Sequence, residues 1–224
     1  MRFDVLTLFP DMIRTVCETS IVGRAADAGI ISIHAHNIRD YSTDKHRRVE
    51  DTPYGGGKGM LMAAPPVVAC HTAVKAMAEG SCKTVFLSPK GKVLTQKKAK
   101  ELSGYDRLIL LCGHYEGIDQ RAIDMVCDEE ISIGDYVLTG GELPACVLID
   151  SVARLIPGVL AEAACHEIES ISCGMLEYPQ YTHPEVFGGQ AVPKVLLSGN
   201  HKEIEKWRHE KALELTKKQR PDLI

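Results

Sequence analysis

Leu110-Leu111-Cys112-Gly113-His114-Tyr115-Glu116-Gly117-Ile118-Asp119-Gln120-Arg121 runs from an apolar strand straight into glycines and polar residues, then into a helical pattern. Strand, glycine loop and helix in that order are the unit of an α/β fold, and ligands of such folds collect at the carboxyl ends of the strands. The same arrangement recurs downstream, where Ile131-Ser132-Ile133 leads into Gly134 and on through Gly140-Gly141 to Pro144. A backbone freed of side chains can approach a ligand closely, so the two loops point to one pocket.

Working outward, five short runs rich in β-formers read as strands: Arg2 to Phe9, Ile30 to His36, Thr84 to Leu87, Arg107 to Leu111 and Glu130 to Ile133. Helical signals fill Asp11 to Ser20, Pro65 to Glu79, Thr95 to Leu102, Ile118 to Cys127 and Glu142 to Ile156. The alternation predicts an α/β body on a mostly parallel sheet. The last of these helices is apolar on nearly every face, with Pro144 in its first turn and Pro157 beyond its end. It is expected to be buried in the core or against another chain.

After Pro157 the periodicity weakens through Cys173, which reads as a linker, and a second unit begins near Gly174. This places one domain over residues 1–160, a linker over 161–173 and a small, mainly helical domain over 174–224. In the second, Asn200 with Glu203 three positions later marks a helix start, and Ile204, Trp207, Ala212 and Leu215 share a face of that helix. Lys206 with Glu210 and Glu214 with Lys218 fit i,i+4 pairing on a solvated face, although the remaining cations could meet nucleic acid.

The 224 residues are 45% hydrophobic and 25% charged, the balance of an ordinary globular protein. No apolar run approaches the roughly 20 residues that cross a bilayer, and Arg2, Asp4 and Asp11 interrupt any cleavable signal, so the chain is expected in the cytoplasm without membrane contact. Eight cysteines lie in apolar surroundings with no C-x-x-C pair, which predicts reduced core thiols. Nine histidines supply no recognisable ligand spacing, and no metal site is expected from the residues. A net charge of −4 excludes a uniformly basic nucleic-acid coat but leaves room for a local basic surface.

Neither a dinucleotide fingerprint nor a phosphate-binding Walker loop fits the strand ends at Ser88-Pro89, Gly113 and Gly134. Pro53-Tyr54-Gly55-Gly56-Gly57-Lys58-Gly59 is a separate glycine cluster, readable as a surface loop or as amides and cations facing an anionic or flat ligand. Arg154 sits four residues after Asp150 in an apolar segment, where a guanidinium needs a partner of defined geometry.

Together with Phe3 to Pro10, Ala153 to Leu160 and Leu197-Ser198-Gly199-Asn200-His201, these segments resemble the bacterial tRNA (guanine-N1)-methyltransferases that modify guanosine 37, members of the SPOUT superfamily with a trefoil knot. The resemblance covers essentially the whole chain. It implies a homodimer with an active site shared between subunits, tRNA as substrate, S-adenosylmethionine as methyl donor and Mg2+ as an accessory ion. It implies cofactor contacts from Leu87, Ser88, Pro89, Gly113, Tyr115, Glu116, Ser132, Ile133, Gly134, Asp135, Tyr136, Val137, Leu138, Gly140, Gly141 and Pro144. Substrate contacts would come from Gly55, Gly56, Gly57, Gly59, Ser198, Gly199, Asn200 and His201.

The resemblance also gives the chemistry to a carboxylate base in the linker and to Arg154, which would meet the guanine O6. The matching base is Glu169 here, where the family pattern has aspartate. Glutamate keeps an ionised carboxylate at neutral pH, with a reference pKa of about 4.3, but its extra methylene moves the oxygens. Two readings therefore stand: a working methyltransferase, or a tRNA-binding protein whose cofactor pocket survives with impaired catalysis. Lys58, Glu50 and His183 are lesser departures.

Overall fold

The computed structural model describes residues 1–160, 170–171 and 174–224. It contains two compact units, Met1–Ala161 and Glu162–Ile224.

The first unit is built on five strands: β1 (Arg2–Thr7), β2 (Ser32–Asn37), β5 (Cys82–Val93), β6 (Arg107–Cys112) and β7 (Glu129–Ser132). They form one sheet in the order β2-β1-β6-β5-β7, and every pairing is parallel. A two-residue ladder, β3 (Glu50–Asp51) with β4 (Leu61–Met62), frames the base of the glycine cluster between them.

Helices cover both faces. Along β6 every residue is buried, and alternate side chains serve opposite layers. Leu108, Leu110 and Cys112 join Phe3 and Val5 in a core with α1 (Pro10–Cys17), α2 (Ser20–Asp27), α4 (Gln96–Leu102) and α6 (Glu142–Ala153). Ile109 and Leu111 join Leu6 and Phe86 in a second core with α3 (Ala64–Lys75) and α5 (Gln120–Val126). A strand buried on both faces must be apolar at every position, which is why β6 reads as an unbroken run.

Polar residues in this core are tied together. Arg107, 1% exposed, donates from Nε to Asp4 and from its terminal nitrogens to the carbonyls of Val74, Lys75 and Ala78, satisfying the end of α3. Asp4 also accepts from Arg2 and pairs with His36. Burial pushes the Asp4 carboxyl up, but the bonds from His36, Arg2 and Arg107 outweigh it and hold it well below the usual carboxylate range.

The structure departs from the sequence reading at four points. The strand expected to stop at Leu87 continues to Val93 after a register shift between Leu87 and Lys92, so Ser88-Pro89 lies within a bulge. Helix α2 was not expected, because β-branched Ile21 and Val22 with Gly23 weaken the helical signal. Helix α6 stops at Ala153, short of Ile156, with Arg154 as its C-cap. Its apolar surface is also divided: Ala145, Leu148, Ile149 and Val152 are buried, while Leu143 and Val147 are 47% and 46% exposed.

In the second unit, the hairpin β8 (Val186–Phe187) and β9 (Gln190–Ala191) precedes α7 (His201–Gln219). Asn200 caps α7 as expected, its side chain accepting from Glu203 N. Thr216 is fully buried; its hydroxyl donates to Ala212 O and accepts from Leu176 N. Tyr181 packs near Trp207, and the Arg208 guanidinium lies over the Tyr178 ring. The helix-surface ion pairs are Glu205 with Arg208 and Lys211 with Glu214, at i,i+3 rather than the expected i,i+4 spacing.

Candidate functional site

Three chain segments meet at the carboxyl end of the sheet. The bulge of β5 brings Leu87, Ser88 and Pro89, the loop after β6 brings Gly113 to Gly117, and the loop after β7 brings Ile131 to Gly141 up to Pro144 of α6. Together they line one cleft. Every expected cofactor residue lines it except Asp135, which stands outside the lining although its neighbours Gly134 and Tyr136 belong to it.

Glycine is what allows these segments to meet. Gly141 N donates to Gly113 O at 2.9 Å, fastening the third loop to the second. A Cβ on Gly141 would stand 2.7 Å from Cys112 Cα and 2.9 Å from Gly113 N, closer than two non-bonded atoms can sit. The loop crosses the end of β6 only because that position has no side chain. Within the third loop Ser132 Oγ donates to Gly134 O and accepts from Gly134 N, and Tyr136 N donates to the same carbonyl. The outer edge is apolar and open, with Tyr136 55% and Val137 82% exposed.

The cleft carries little formal charge. Among the described residues Glu116 is the one carboxylate in its lining, and neither Lys nor Arg contributes there. The Tyr115 hydroxyl accepts from Arg39 at 3.1 Å. Glu116 N donates to Met60 O, and the Glu116 side chain lies against Gly59. The structure thus joins the end of the Gly55–Gly59 cluster to the cleft, a link that residue spacing alone could not show. Gly55, Gly56 and Gly57 adopt positive φ, and Tyr54 beside them is 98% exposed.

A family model described as tRNA (Guanine-1)-methyltransferase TrmD matches residues 1–224. The chain belongs to this family. A tRNA (guanine-N(1)-)-methyltransferase from Ruminiclostridium cellulolyticum is 57% identical over 224 residues, covering 100% of this chain and 96% of the relative. Proteins of the same name from Lachnospira eligens and Clostridioides difficile are 55% and 50% identical, across 100% of this chain and 94% and 97% of their own lengths.

Arg154 is half-buried at the end of α6, its backbone N–H donating to Asp150 O. Glu169, expected as the base, and its neighbour Glu167 lie outside the described residues. Ser198, Gly199, Asn200 and His201 form the entry to α7 in the second unit: Ser198 Oγ accepts from Asn200 N, Gly199 has φ +69°, and all four are exposed. Among the described residues no three His, Cys, Asp or Glu side chains gather as a metal-ligand set.

The sequence reading took His114, which lines the cleft, only as part of the loop after Cys112, and gave no role to Glu142 and Thr7, which lie buried behind it. A glutamate in the first turn of a helix has an ordinary explanation in the helix dipole, and nothing local announces that Thr7, 135 positions away, bonds to it.

Proposed function

We propose that this protein transfers the methyl group of S-adenosylmethionine to N1 of guanosine 37 in tRNA. The observation that carries the proposal is the glycine-built cleft in a chain matched by the methyltransferase family over all of its length. Apolar and aromatic walls, close-approaching backbone and a lining without Lys or Arg among the described residues suit a ligand that is flat, partly apolar and cationic. Gly113, Tyr115, Glu116 and the 132–141 loop would hold it, together with Leu87, Ser88 and Pro89 of β5, the strand between β6 and β7. When bound, the donor supplies an electrophilic methyl on a positively charged sulfur.

The protein must manage the proton and charge of the acceptor. Guanine N1 carries a proton that has to leave as the methyl arrives, and negative charge builds on O6 as it does. Glu169 is the proposed base, taking the N1 proton on its carboxylate as the N1 electron pair forms the bond to carbon. The carbon–sulfur pair departs with the sulfur. Arg154 is proposed to stabilise O6, a permanent cation placed where charge develops. Accessory Mg2+ is an expectation from the family alone: among the described residues Glu116 is the one carboxylate lining the cleft.

In this reading residues 1–160 form a knotted cofactor domain, 161–173 link it, and 174–224 hold tRNA with the help of Gly55 to Gly59 and Ser198 to His201. The protein works as a cytoplasmic homodimer. The exposed Leu143 and Val147 of α6 support the dimer, since an apolar stripe of that kind is ordinarily covered. No helix among the described residues is long and apolar enough to cross a membrane.

Incubation with labelled S-adenosylmethionine and tRNAs carrying guanosine or adenosine at position 37, followed by nuclease digestion and mass spectrometry, tests the proposal. It expects 1-methylguanosine from the first tRNA alone. Label in both rejects the assignment of position. Cofactor and tRNA binding without product would make the protein a binder with impaired catalysis.

A further inference from the structure

Behind the cleft lies a buried carboxylate with no role in the scheme above. Glu142, in the first turn of α6, is 3% exposed. Its Oε1 accepts from Thr7 Oγ1 at 2.7 Å, and Thr7, fully buried, accepts from Phe9 N at 2.9 Å. Its Oε2 lies against Gly140, where a Cβ would overlap it, and the same point is 3.0 Å from His114 Nδ1. That nitrogen is buried and has no hydrogen-bond partner among the described residues. The His114 ring is held edge-on by Phe9 at 4.9 Å and Tyr115 at 5.0 Å.

The dipole of α6 favours a carboxylate in its first turn, but a charge withdrawn from water with one neutral side-chain donor is still costly to bury. Packing does not require it, since a neutral amide has almost the same shape. Its field is felt locally: burial first, then the Glu142 charge, push the Cys112 thiol well above its ordinary value. Gly140 separates this carboxylate from the cleft by a single backbone layer, and among the described residues no Lys or Arg stands in the lining to cancel it.

We infer that Glu142 is a specificity-determining residue whose buried charge, braced by Thr7 and facing His114 across Gly140, makes the cleft favour a cationic ligand over its neutral counterpart. The inference rests on the methyl-donor reading. There the ligand arrives as a sulfonium cation and leaves as a neutral thioether, so a fixed negative charge favours the form that can react and releases the form that has reacted. Glu142 acts through its field, which is weakly screened behind a water-poor wall, without touching the ligand.

Calorimetric titration of the full chain with S-adenosylmethionine and with S-adenosylhomocysteine, for the wild type and Glu142→Gln, tests this, with thermal melting to confirm folding. The ratio of the two affinities, cation over thioether, is expected to fall about tenfold in Glu142→Gln. An unchanged ratio, or equal weakening of both ligands, overturns the inference and leaves Glu142 a structural residue. Should Glu142→Gln fail to fold, Glu142→Asp keeps the charge: a ratio within about twofold of wild type supports the inference, and a larger fall overturns it. A wild type that binds neither ligand overturns the methyl-donor reading itself, and this inference with it.

Discussion

Arg107 Nε donates to Asp4 Oδ2 at 2.6 Å across 103 positions of sequence, joining β6 to β1 in the middle of the sheet. Both side chains are withdrawn from water, and the same guanidinium closes the carbonyls at the end of α3. Removing Arg107 takes one of the buried cations from Asp4, leaving it to Arg2 and His36, and leaves the carbonyls of Val74, Lys75 and Ala78 without their donor. Arg107→Met should therefore cost about 3–5 kcal/mol of stability. Urea denaturation followed by circular dichroism checks this, and a loss under about 1 kcal/mol would show that solvent reaches Asp4.

The same carboxylate sets a pH dependence. Its folded pKa lies below the unfolded value of about 3.9, so its stabilisation is fully present above that value and is lost as pH falls toward the folded one. Melting temperature should drop as pH is lowered from about 5 to 3. Asp4→Asn should be less stable at neutral pH and show a shallower acid slope. Equal slopes in the two proteins would assign the acid sensitivity to other carboxylates.

Gly141→Ala places a methyl group against the backbone of Cys112 and Gly113. The expected cost is about 1–3 kcal/mol, shared between stability and cofactor affinity as the loop shifts outward. Denaturation and S-adenosylmethionine titration together measure it. Gly29→Ala, at a glycine with nothing within 4 Å of a Cβ but φ +71°, is the control: it should lower stability and leave affinity unchanged.

Catalysis should separate from binding at Glu169 and Arg154. Glu169→Ala is expected to slow single-turnover methyl transfer about 100- to 10,000-fold. Arg154→Ala should slow it about 100-fold or more. Cofactor affinity in both should stay close to wild type by calorimetry. An unimpaired rate in Glu169→Ala would move the base to another carboxylate, with Glu167 the next to test.

Much of this was legible in the sequence for identifiable reasons. Strand β6 declared itself because a strand covered on both faces must be apolar throughout, and the cap of α7 did so because Asn200 and Glu203 carry the signal locally. The cleft loops were legible because crowding demands glycine there, against the β6 backbone at Gly141 and against the Glu142 and His114 side chains at Gly140. The family resemblance drawn from these motifs is borne out over the full chain. Helix α2 escaped because its propensities oppose the packing of Val22 and Ala25 that stabilises it. The Thr7–Glu142 bond escaped because it depends on how β1 and α6 stack, which no window of sequence contains. The exposed Leu143 and Val147 could not be told from their buried neighbours, since composition alone does not say which side of an apolar helix meets the sheet.

The bond from Gly141 to Gly113 has a consequence for how the cleft admits a ligand. That amide ties the inner ends of the two loops together between β6 and α6. Breathing is left to the unfastened outer lip at Val137 and Leu138, whose apolar side chains already stand in water. Amide exchange should be slow at Gly141 and fast at Val137 and Leu138, which would leave ligand entry and exit to the outer lip.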